Sequence, residues 1–329
     1  MRTNAQLAPP AAAHLRPILD AAFARDVLGG FSRQNKSIPC TWLYDRRGSE
    51  LFERITAVPE YYPTRTEILI LRSCAAEIGA LAGPGASLIE LGSGSSHKTP
   101  LLLEALDRPA CYVPIDISAQ FLEESVSALQ ARFRALPIHP VAADFTQVGS
   151  LLLPAEAAAG ERRVVFFPGS AIGNLAPDEA VDLLRQLARL ARTGGLLVLG
   201  ADATQDPALL LPAYADAQGV TAAFNKNLLV RMNRELAADF DVDSFRHEAR
   251  FDSHPHRVEM HLVSRREQWV QVAGERFHFD PDESIHTENS YKYGLLRIQS
   301  MARSAGWAQR QMWTDAHARF GVHVFECVE

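Results

Sequence analysis

The chain has 329 residues, 47% of them hydrophobic and 22% charged, with a formal net charge of -6 and a pI of about 6.0. This balance is typical of a soluble globular protein with one large domain or two interlocked lobes, and it lacks the basic excess that usually marks a nucleic-acid partner. No apolar run approaches the roughly 20 residues of a membrane span, and no secretion signal is evident. We therefore expect a cytoplasmic protein, most simply a monomer, that acts without nucleic acid or membrane.

The N-terminal part of the chain is predicted to be two helices joined by a loop-rich stretch. Residues 1–15 are rich in Ala and Pro and are expected to form a flexible tail. Helical periodicity is expected over 16–35 and again over 65–82. Residues 39–64, between them, are predicted to be mostly loop and contain the aromatic residues Trp42, Tyr44, Phe52, Tyr61 and Tyr62.

From residue 86 onward, short apolar runs alternate with helical periodicity. The predicted strands are residues 87–91, 111–117, 139–145, 163–170 and 195–202. The predicted helices between them are residues 98–107, 119–135 and 178–192. Buried apolar strands that alternate with helices are typical of a parallel sheet covered on both faces. We therefore predict an α/β fold built on a doubly wound sheet.

After residue 203 this alternation stops. A long helix is predicted over 206–238, followed by two alternating runs, 257–265 and 269–279, that suit a small antiparallel element. The chain then returns to a helix at 293–306 and a last strand at 323–328. The predicted core is 65–203 plus 293–329, and 16–64 plus 204–292 are expected to form a second, smaller lobe.

The strongest local motif is Glu90-Leu91-Gly92-Ser93-Gly94, which follows a predicted strand and precedes a helix. Glycine allows the backbone to turn sharply and to approach a ligand closely. Open α/β sheets bind ligands beyond the carboxyl ends of their strands. A dinucleotide fingerprint needs a third glycine where this chain has His97, so NAD is disfavoured. A shorter motif preceded by an acidic residue such as Glu90 is typical of S-adenosylmethionine sites.

The ends of the next two strands add candidate cofactor contacts. The carboxylate of Asp116 can accept hydrogen bonds from vicinal ribose hydroxyls. Asp144 can accept from an adenine amino group, and Phe145 can pack on the ring. Each residue also has an ordinary structural explanation, since an aspartate at a strand end often caps a helix. Their order along successive strands favours S-adenosylmethionine over NAD.

No metal site is expected. The four cysteines, Cys40, Cys74, Cys111 and Cys327, are far apart and form no CxxC pair, so neither zinc nor a disulfide framework is indicated. Cys111 and Cys327 fall inside predicted strands. His254 and His256 have no third ligand at a suitable spacing and are interpreted as surface histidines.

Motifs along nearly the whole chain from about residue 16 then carry a family resemblance. They are Tyr44-Asp45, Gly48-Ser49, Leu51-Phe52, Pro59 to Arg65, Glu90 to Gly94, Lys98-Thr99, Gly169 to Leu175, Ala213-Tyr214, Gly219 to Asn225, Asn233 to Leu236, Asp239 to Asp241, Thr287-Glu288, Ser290, Lys292, and Trp313 to Asp315. With these motifs the sequence closely resembles the histidine N-alpha-methyltransferases of ergothioneine biosynthesis.

The resemblance implies a class I methyltransferase fold that is Rossmann-like, with S-adenosylmethionine as methyl donor and L-histidine as substrate. It implies up to three methyl transfers to the α-amino group, which give hercynine. The cofactor contacts would be Gly92, Lys98, Asp116, Asp144 and Phe145, with Gly94 added by the glycine motif. The histidine contacts would be Tyr61, Asn174, Tyr214, Met260, Glu288 and Ser290. Tyr44, near the amine, and Tyr61 would be the catalytic residues.

The residue types suit this chemistry, and each also has a structural alternative. Glu288 and Ser290 share one face of an extended segment, where they could read both imidazole nitrogens or simply face solvent. Asn174 could bind a carboxylate or cap the helix that follows. Tyr214 could do the same or be a buried aromatic residue. An aromatic cluster of Tyr44, Tyr61 and Tyr62 could hold a methylated ammonium by cation–π attraction or merely pack in a loop.

Two departures leave the acceptor open. Ala171 and Asn289 stand where members of the family carry Thr and Val, so another amino acid or an imidazole compound remains an alternative acceptor. A non-catalytic S-adenosylmethionine-binding module and a nicotinamide oxidoreductase are further alternatives. The sequence does not determine the number of methyl groups added.

Overall fold

The computed structural model describes residues 20–328 except 152, 156, 158 and 159, so the predicted tail at 1–15 lies outside the described residues. The strands, in chain order, are β1 (Ser87–Leu91), β2 (Cys111–Asp116), β3 (Val141–Ala142), β4 (Arg163–Phe167), β5 (Leu196–Asp202), β6 (Phe245–Asp252), β7 (Arg257–Ser264), β8 (Gln268–Val272), β9 (Glu275–Phe279), β10 (Ser284–Tyr291), β11 (Trp307–Thr314) and β12 (Phe320–Cys327). The helices are α1 (Ala21–Phe31), α2 (Arg46–Thr56), α3 (Tyr62–Ala82), α4 (Thr99–Leu103), α5 (Ala119–Arg132), α6 (Pro177–Ala191), α7 (Pro207–Tyr214), α8 (Val220–Glu235) and α9 (Leu295–Ser304).

The centre of the described chain is a seven-stranded sheet with the order β11-β12-β5-β4-β1-β2-β3. The strands from β1 to β5 pair in parallel, whereas β12 is antiparallel to β5 and β11 is antiparallel to β12. The predicted doubly wound α/β fold is confirmed, and the two C-terminal strands add an antiparallel edge. Because the strand order reverses between β1 and β4, the carboxyl ends of these strands open a crevice at that point.

Helices cover both faces of this sheet, as predicted. On one face, α6 and α9 pack against alternate residues of the strands, among them Ile89, Val165 and Leu197. On the opposite face, α3 and α4 pack against the intervening residues, among them Leu88, Val164 and Val198. These strands are mostly apolar because both of their faces are buried, and their polar exceptions include Glu90 and Asp202.

The predicted helix at 178–192 is confirmed as α6, and its sequence explains its bounds. Pro177 occupies the first turn, where the missing N–H costs nothing. The carboxylate of Glu179 accepts a hydrogen bond from the backbone N–H of Ala176 at 2.8 Å, which closes the N-terminus. Leu183, Leu184 and Leu187 then form the buried stripe.

A second apolar cluster lies outside the sheet and draws on α1, α2, α7, α8 and the strands β6 to β10. In the described chain these strands form a three-stranded sheet, β10-β7-β6, and a two-stranded sheet, β8-β9. The runs predicted at 257–265 and 269–279 both lie in antiparallel sheets, but they do not pair with each other. Strand β7 lies between β6 and β10, and 269–279 folds back on itself through a tight turn at Ala273 and Gly274, both with positive φ.

Two predictions of local structure in this second cluster are also wrong. Residues 39–64 include helix α2, whose N-terminus is capped by Asp45 through a 2.7 Å hydrogen bond from the N–H of Gly48. The predicted helix at 206–238 is two helices, because Gly219 has φ 70° and interrupts it. Asp216 caps the second of them by accepting from the N–H groups of Val220 and Thr221 at 2.9 and 2.7 Å.

Strand β10 carries one extra residue relative to its partner β7. His286 pairs with His261, whereas Glu288 pairs with Met260, so Thr287 is a β-bulge between them. The hydroxyl of Thr287 donates to the carbonyl of Met260 at 3.0 Å, which holds the bulge in place.

Candidate active site

One pocket lies between the carboxyl ends of β1, β2, β4 and β5 and the second apolar cluster. Every residue that the family resemblance and the glycine motif assign to the site lines it. On the sheet side these residues are Gly92, Gly94, Lys98, Asp116, Asp144 and Phe145. On the other side they are Tyr44, Tyr61, Asn174, Tyr214, Met260, Glu288 and Ser290. The structure therefore brings together residues that are spread over most of the sequence.

The glycine motif forms a tight turn at the end of β1. Gly92 and Gly94 have φ values of 61° and 50°, a region that favours glycine. The N–H of Gly94 donates to Asp116 at 2.9 Å, and the N–H of Ser118 donates to the other carboxylate oxygen at 2.9 Å. Burial raises the pKa of Asp116 above its ordinary value, although these amides oppose the effect. The turn and Asp116 thus form one hydrogen-bonded unit.

Asp144 and Phe145 lie beside this turn. Asp144 caps the short 3-10 helix Phe145–Ser150 by accepting from the backbone N–H and the hydroxyl of Thr146 at 2.8 and 2.7 Å. Asp144 therefore does cap a helix, which was its alternative structural role, and it also lines the pocket. The ring of Phe145 lies where a Cβ on Gly92 would contact it at 3.5 Å, so the ring forms a flat apolar wall against the glycine turn.

Lys98 is held by a residue that the sequence analysis did not single out. Its ammonium lies 2.5 Å from Glu67, a fully buried carboxylate on α3. Glu67 also accepts hydrogen bonds from the N–H of Gly169, at 2.9 and 3.1 Å. A sequence signal existed, since Glu67 falls on the same helical face as the buried residues Leu71 and Cys74. A charged residue in such a stripe needs a partner.

Glu90, which precedes the glycine turn, is a second buried carboxylate. It accepts hydrogen bonds from the hydroxyls of Thr99 and Tyr112, both at 2.7 Å. Burial raises the pKa of Glu90 to about 7, although these two hydroxyls oppose the shift. Glu90 therefore fixes the start of α4 relative to β1 and β2.

On the opposite wall, two predicted residues donate to the carboxylate of a third, Glu288. The hydroxyl of Tyr44 and the amide of Asn174 both donate to Oε1 of Glu288, at 3.3 and 3.4 Å. Glu288 is 8% exposed, and burial raises its pKa to about 7. Asn174 does not cap α6, whose N-terminus is closed by Glu179 instead. Met260 lies opposite Glu288 on β7 and is buried.

A second network surrounds Ser290, on the same face of β10 as Glu288. The hydroxyls of Ser290 and Tyr214 are 2.6 Å apart, and the ammonium of Lys292 contacts both at 2.9 and 2.8 Å. Lys292 also forms a buried ion pair with Asp202, at 3.0 Å. Lys292 and Asp202 were not predicted as site residues, because their pairing joins distant segments.

Aromatic rings line the space between the two walls. Phe52 lies between Tyr44 and Tyr61, with ring centroids 5.7 and 6.2 Å away, and was missed as a pocket residue. Burial raises the pKa of both Tyr44 and Tyr61 well above the ordinary value, so both phenols keep their protons. Tyr62 does not line this pocket, although its hydroxyl donates to Asp202 at 2.7 Å, which does line it. Its predicted place in the aromatic cluster is wrong.

The two departures from the family pattern lie in different surroundings. Ala171 lines the pocket. Asn289 lies on the opposite face of β10, where its amide oxygen is 3.1 Å from a ring nitrogen of His286. Asn289 therefore does not lie between the side chains of Glu288 and Ser290, although it lies between them in sequence.

Among the described residues, no group of three or more His, Cys, Asp and Glu side chains is arranged to hold a metal ion. His254 is exposed on a turn, and its ring stacks 6.2 Å from that of His256. Across residues 20–328, gaps excepted, no helix has the length and apolar character needed to cross a membrane.

The doubly wound sheet, the glycine turn at its switch point and the carboxylate after β2 define a class I methyltransferase that depends on S-adenosylmethionine. A family model described as histidine-specific, SAM-dependent methyltransferase matches residues 23–327, and the chain belongs to that family.

Curated relatives cover most of the chain. It is 42% identical over 307 residues to the histidine N-alpha-methyltransferase of Mycolicibacterium smegmatis. The aligned region covers 92% of this chain and 94% of the relative. It is 42% identical over 306 residues to the protein of the same name from Mycobacterium tuberculosis, with the same coverage. Ergothioneine biosynthesis protein 1 of Neurospora crassa is 30% identical over 298 residues, which are 88% of this chain and 33% of that protein.

Proposed function

We propose that this protein transfers methyl groups from S-adenosylmethionine to the α-amino group of L-histidine, in up to three steps that end in trimethylhistidine. The observation that carries the proposal is Glu288, a buried carboxylate in the same pocket as the glycine turn of Gly92 and Gly94. Family membership and the relatives named for histidine N-alpha-methylation and ergothioneine biosynthesis support the same activity.

The sheet side of the pocket fits the methyl donor. When bound, S-adenosylmethionine supplies a methyl group on a positively charged sulfur. The glycine turn leaves room for the ligand to approach the protein backbone closely. Asp116 offers carboxylate oxygens to the ribose hydroxyls, and the ring of Phe145 offers a flat apolar face. Asp144 is assigned to the adenine edge, and the ammonium of Lys98 is the cation available to a carboxylate.

The opposite wall fits the substrate. Glu288 is assigned to one imidazole N–H, Ser290 to the other ring nitrogen, and Met260 to the face of the ring. Asn174 and Tyr214 are assigned to the substrate carboxylate. A side chain without a ring N–H, such as that of phenylalanine, would cover Glu288 without donating to it, and leaving a buried acceptor short of a donor costs about 1–3 kcal/mol. This penalty favours histidine over phenylalanine.

The rings between the two walls suit an amine that becomes a quaternary cation. Tyr44, Phe52 and Tyr61 present π faces, and cation–π attraction needs no N–H on the ligand. We assign Tyr44 and Tyr61 to contact with the amine. Because both phenols keep their protons, the proton lost by the amine passes to water rather than to them. Alignment of the amine with the methyl group accounts for most of the rate enhancement. In well-oriented reactions such positioning lowers the activation free energy by about 7–11 kcal/mol.

The proposal extends to organisation. Residues 65–203 with 293–329 would be the cofactor-binding core, and 16–64 with 204–292 the substrate lobe. We propose a cytoplasmic monomer, for which no partner chain is required by the pocket. The alternative hypothesis, that the acceptor is a different amino acid or an imidazole compound, is now supported by Ala171, because Asn289 faces away from the pocket.

The test is a product screen. The purified protein is incubated with S-adenosylmethionine and each amino acid in turn, and products are weighed by mass spectrometry, with S-adenosylhomocysteine replacing the donor as the control. Histidine should gain the mass of one, two and three methyl groups. Gain on another amino acid and none on histidine would refute the substrate. Binding of the donor without any turnover would indicate a non-catalytic module, and calorimetric binding of NAD instead would indicate an oxidoreductase.

A further inference from the structure

Lys292 is a buried cation at the substrate end of the pocket, and the proposed function gives it no role. It is 2% exposed. Its ammonium nitrogen lies 3.0 Å from a carboxylate oxygen of Asp202, 2.8 Å from the hydroxyl of Tyr214 and 2.9 Å from the hydroxyl of Ser290. An ammonium group has three hydrogens and no acceptor, so these three partners use all of its donors.

The hydrogens on Tyr214 and Ser290 can then be counted. Their oxygens are 2.6 Å apart, so one hydroxyl hydrogen lies between them. Each oxygen also accepts a hydrogen from Lys292, which occupies a lone pair on each. One hydroxyl hydrogen remains for a ligand. Because both oxygens accept from a cation, that remaining O–H is a stronger donor than a free hydroxyl.

The charge on Lys292 is secured by its surroundings. Burial lowers the pKa of Lys292, but Asp202 and Tyr214 outweigh this effect and raise the pKa above its ordinary value. Asp202, at the end of β5, is 1% exposed and also accepts from Tyr62 on α3, at 2.7 Å. The carboxylate of Glu288 on β10 also interacts with Lys292 from the pocket wall. The ammonium is therefore fixed in place and permanently charged.

We propose that Lys292 is a positioning residue that makes Tyr214 and Ser290 a donor pair, so that this corner selects a hydrogen-bond acceptor on the substrate and rejects an N–H. The inference rests on the proposed function and deepens it. In L-histidine the acceptor is either a carboxylate oxygen or the ring nitrogen that carries no hydrogen. With the carboxylate of Glu288 nearby as an acceptor, the pocket would read a neutral imidazole as one N–H and one bare nitrogen.

The test removes the cation without leaving a buried charge behind. In the double variant Lys292→Met/Asp202→Asn, both members of the ion pair become neutral and nearly keep their shapes, which avoids the unpaired Asp202 of a single substitution. The matched control is Lys98→Met/Glu67→Gln, which neutralises the buried ion pair at the cofactor end of the same pocket. Lys292→Gln/Asp202→Asn is a second variant in case the first does not fold, because the amide oxygen of the new glutamine can accept from a hydroxyl and Asp202 is again neutralised.

Dissociation constants are measured by calorimetry without a methyl donor, for L-histidine and two kinds of probe. L-Histidinamide replaces the carboxylate, and the pyrrolylalanine isomers replace one ring nitrogen or the other with CH. We expect the Lys292→Met/Asp202→Asn variant to bind histidine about tenfold more weakly. Its preference for histidine over at least one probe should fall about fivefold or more, with S-adenosylmethionine affinity within about twofold of wild type. A fall for the amide alone identifies the carboxylate as the acceptor, and a fall for pyrrolylalanine alone identifies the ring nitrogen.

The outcomes separate this inference from the proposed function. Unchanged preferences, with or without weaker histidine binding, would make Lys292 a purely structural ion pair and overturn the inference. The control variant should weaken binding of S-adenosylmethionine and leave both preferences at wild-type values, and an equal loss of preference there would also count against Lys292. If the wild-type protein neither binds nor methylates histidine, the proposed function fails first, and this inference fails with it.

Discussion

The carboxylate of Glu67 lies 2.5 Å from the ammonium of Lys98 and joins helix α3 to the residue that precedes α4. The same carboxylate accepts from the N–H of Gly169, in the loop after β4. One buried side chain therefore holds three segments at the floor of the pocket. Four predictions follow from this and the other contacts of the site.

Glu67→Gln should destabilise the protein. The substitution leaves Lys98 largely buried without its counter-charge, and removing one partner of a buried ion pair typically costs about 3–5 kcal/mol. We expect a loss of about 3 kcal/mol in the free energy of unfolding, measured by urea denaturation. Glu77→Gln, at an exposed position on the same helix, is the control and should change stability little. Equal effects in the two variants would contradict the role of Glu67.

Gly200→Ala should be severely destabilising. A Cβ on Gly200 would lie 1.9 Å from Oε1 of Glu67, which is fully buried and fixed by its partners. The methyl group must push Glu67 away from Lys98, so both stability and affinity for S-adenosylmethionine should fall. Gly29→Ala is the matched control, since nothing lies within 4 Å of its added Cβ and the site is helical. That variant should be neutral or slightly more stable. Thermal denaturation and calorimetry measure both.

Glu288→Ala should severely weaken histidine binding while sparing the methyl donor. The variant loses the buried acceptor for an imidazole N–H, which we expect to raise the histidine KM by about a hundredfold, equivalent to about 2.7 kcal/mol. Affinity for S-adenosylmethionine should stay near wild type in calorimetry. Asn289→Ala, on the outer face of the same strand, should leave the KM unchanged. Loss of both ligands in Glu288→Ala would point to misfolding instead.

The ligand-free protein should lose stability as pH rises from about 5 to 7. Burial raises the pKa of Glu90 from 4.5 to about 7, so the folded state holds a proton there that the unfolded state has already released. Stability therefore falls as pH rises through this window, by up to about 3 kcal/mol for this one group. In Glu90→Gln the contribution is absent. Urea denaturation at several pH values should show the variant gaining on wild type between pH 5 and 7. A constant difference between the two would refute the assignment.

The sequence was sufficient to predict the parts of the fold whose signals are local. Fully apolar runs separated by amphipathic helices predicted the sheet, and a glycine turn after β1 predicted the cofactor end of the pocket. Helix α2 was missed because it is short and highly polar, with only Leu51 and Ile55 as its large buried apolar residues. Strand β6 was missed because most of its residues are only partly buried, and charges interrupt its alternation.

Contacts between distant segments could not be predicted in the same way. The pairs Glu67–Lys98 and Asp202–Lys292 join residues with no motif in common, and only the packing of α3, β5 and β10 brings them together. Phe52 was noted as aromatic but not as a pocket residue for the same reason. The family resemblance supplied most of the substrate residues, since Asn174 and Tyr214 have unremarkable sequence surroundings.

The bulge at Thr287 has a consequence for how this pocket could change its preferences. Side chains of a strand alternate between its faces, yet His286 points outward and Glu288 inward, because the extra residue resets the alternation. If β10 slipped by one residue along β7, Asn289 would enter the pocket and Glu288 and Ser290 would leave it. Ligand selectivity thus depends on the register of β10 along β7 as well as on the identity of its side chains. A redesign of this enzyme for a new amine should therefore keep the β-bulge at Thr287 and change only the residues around it.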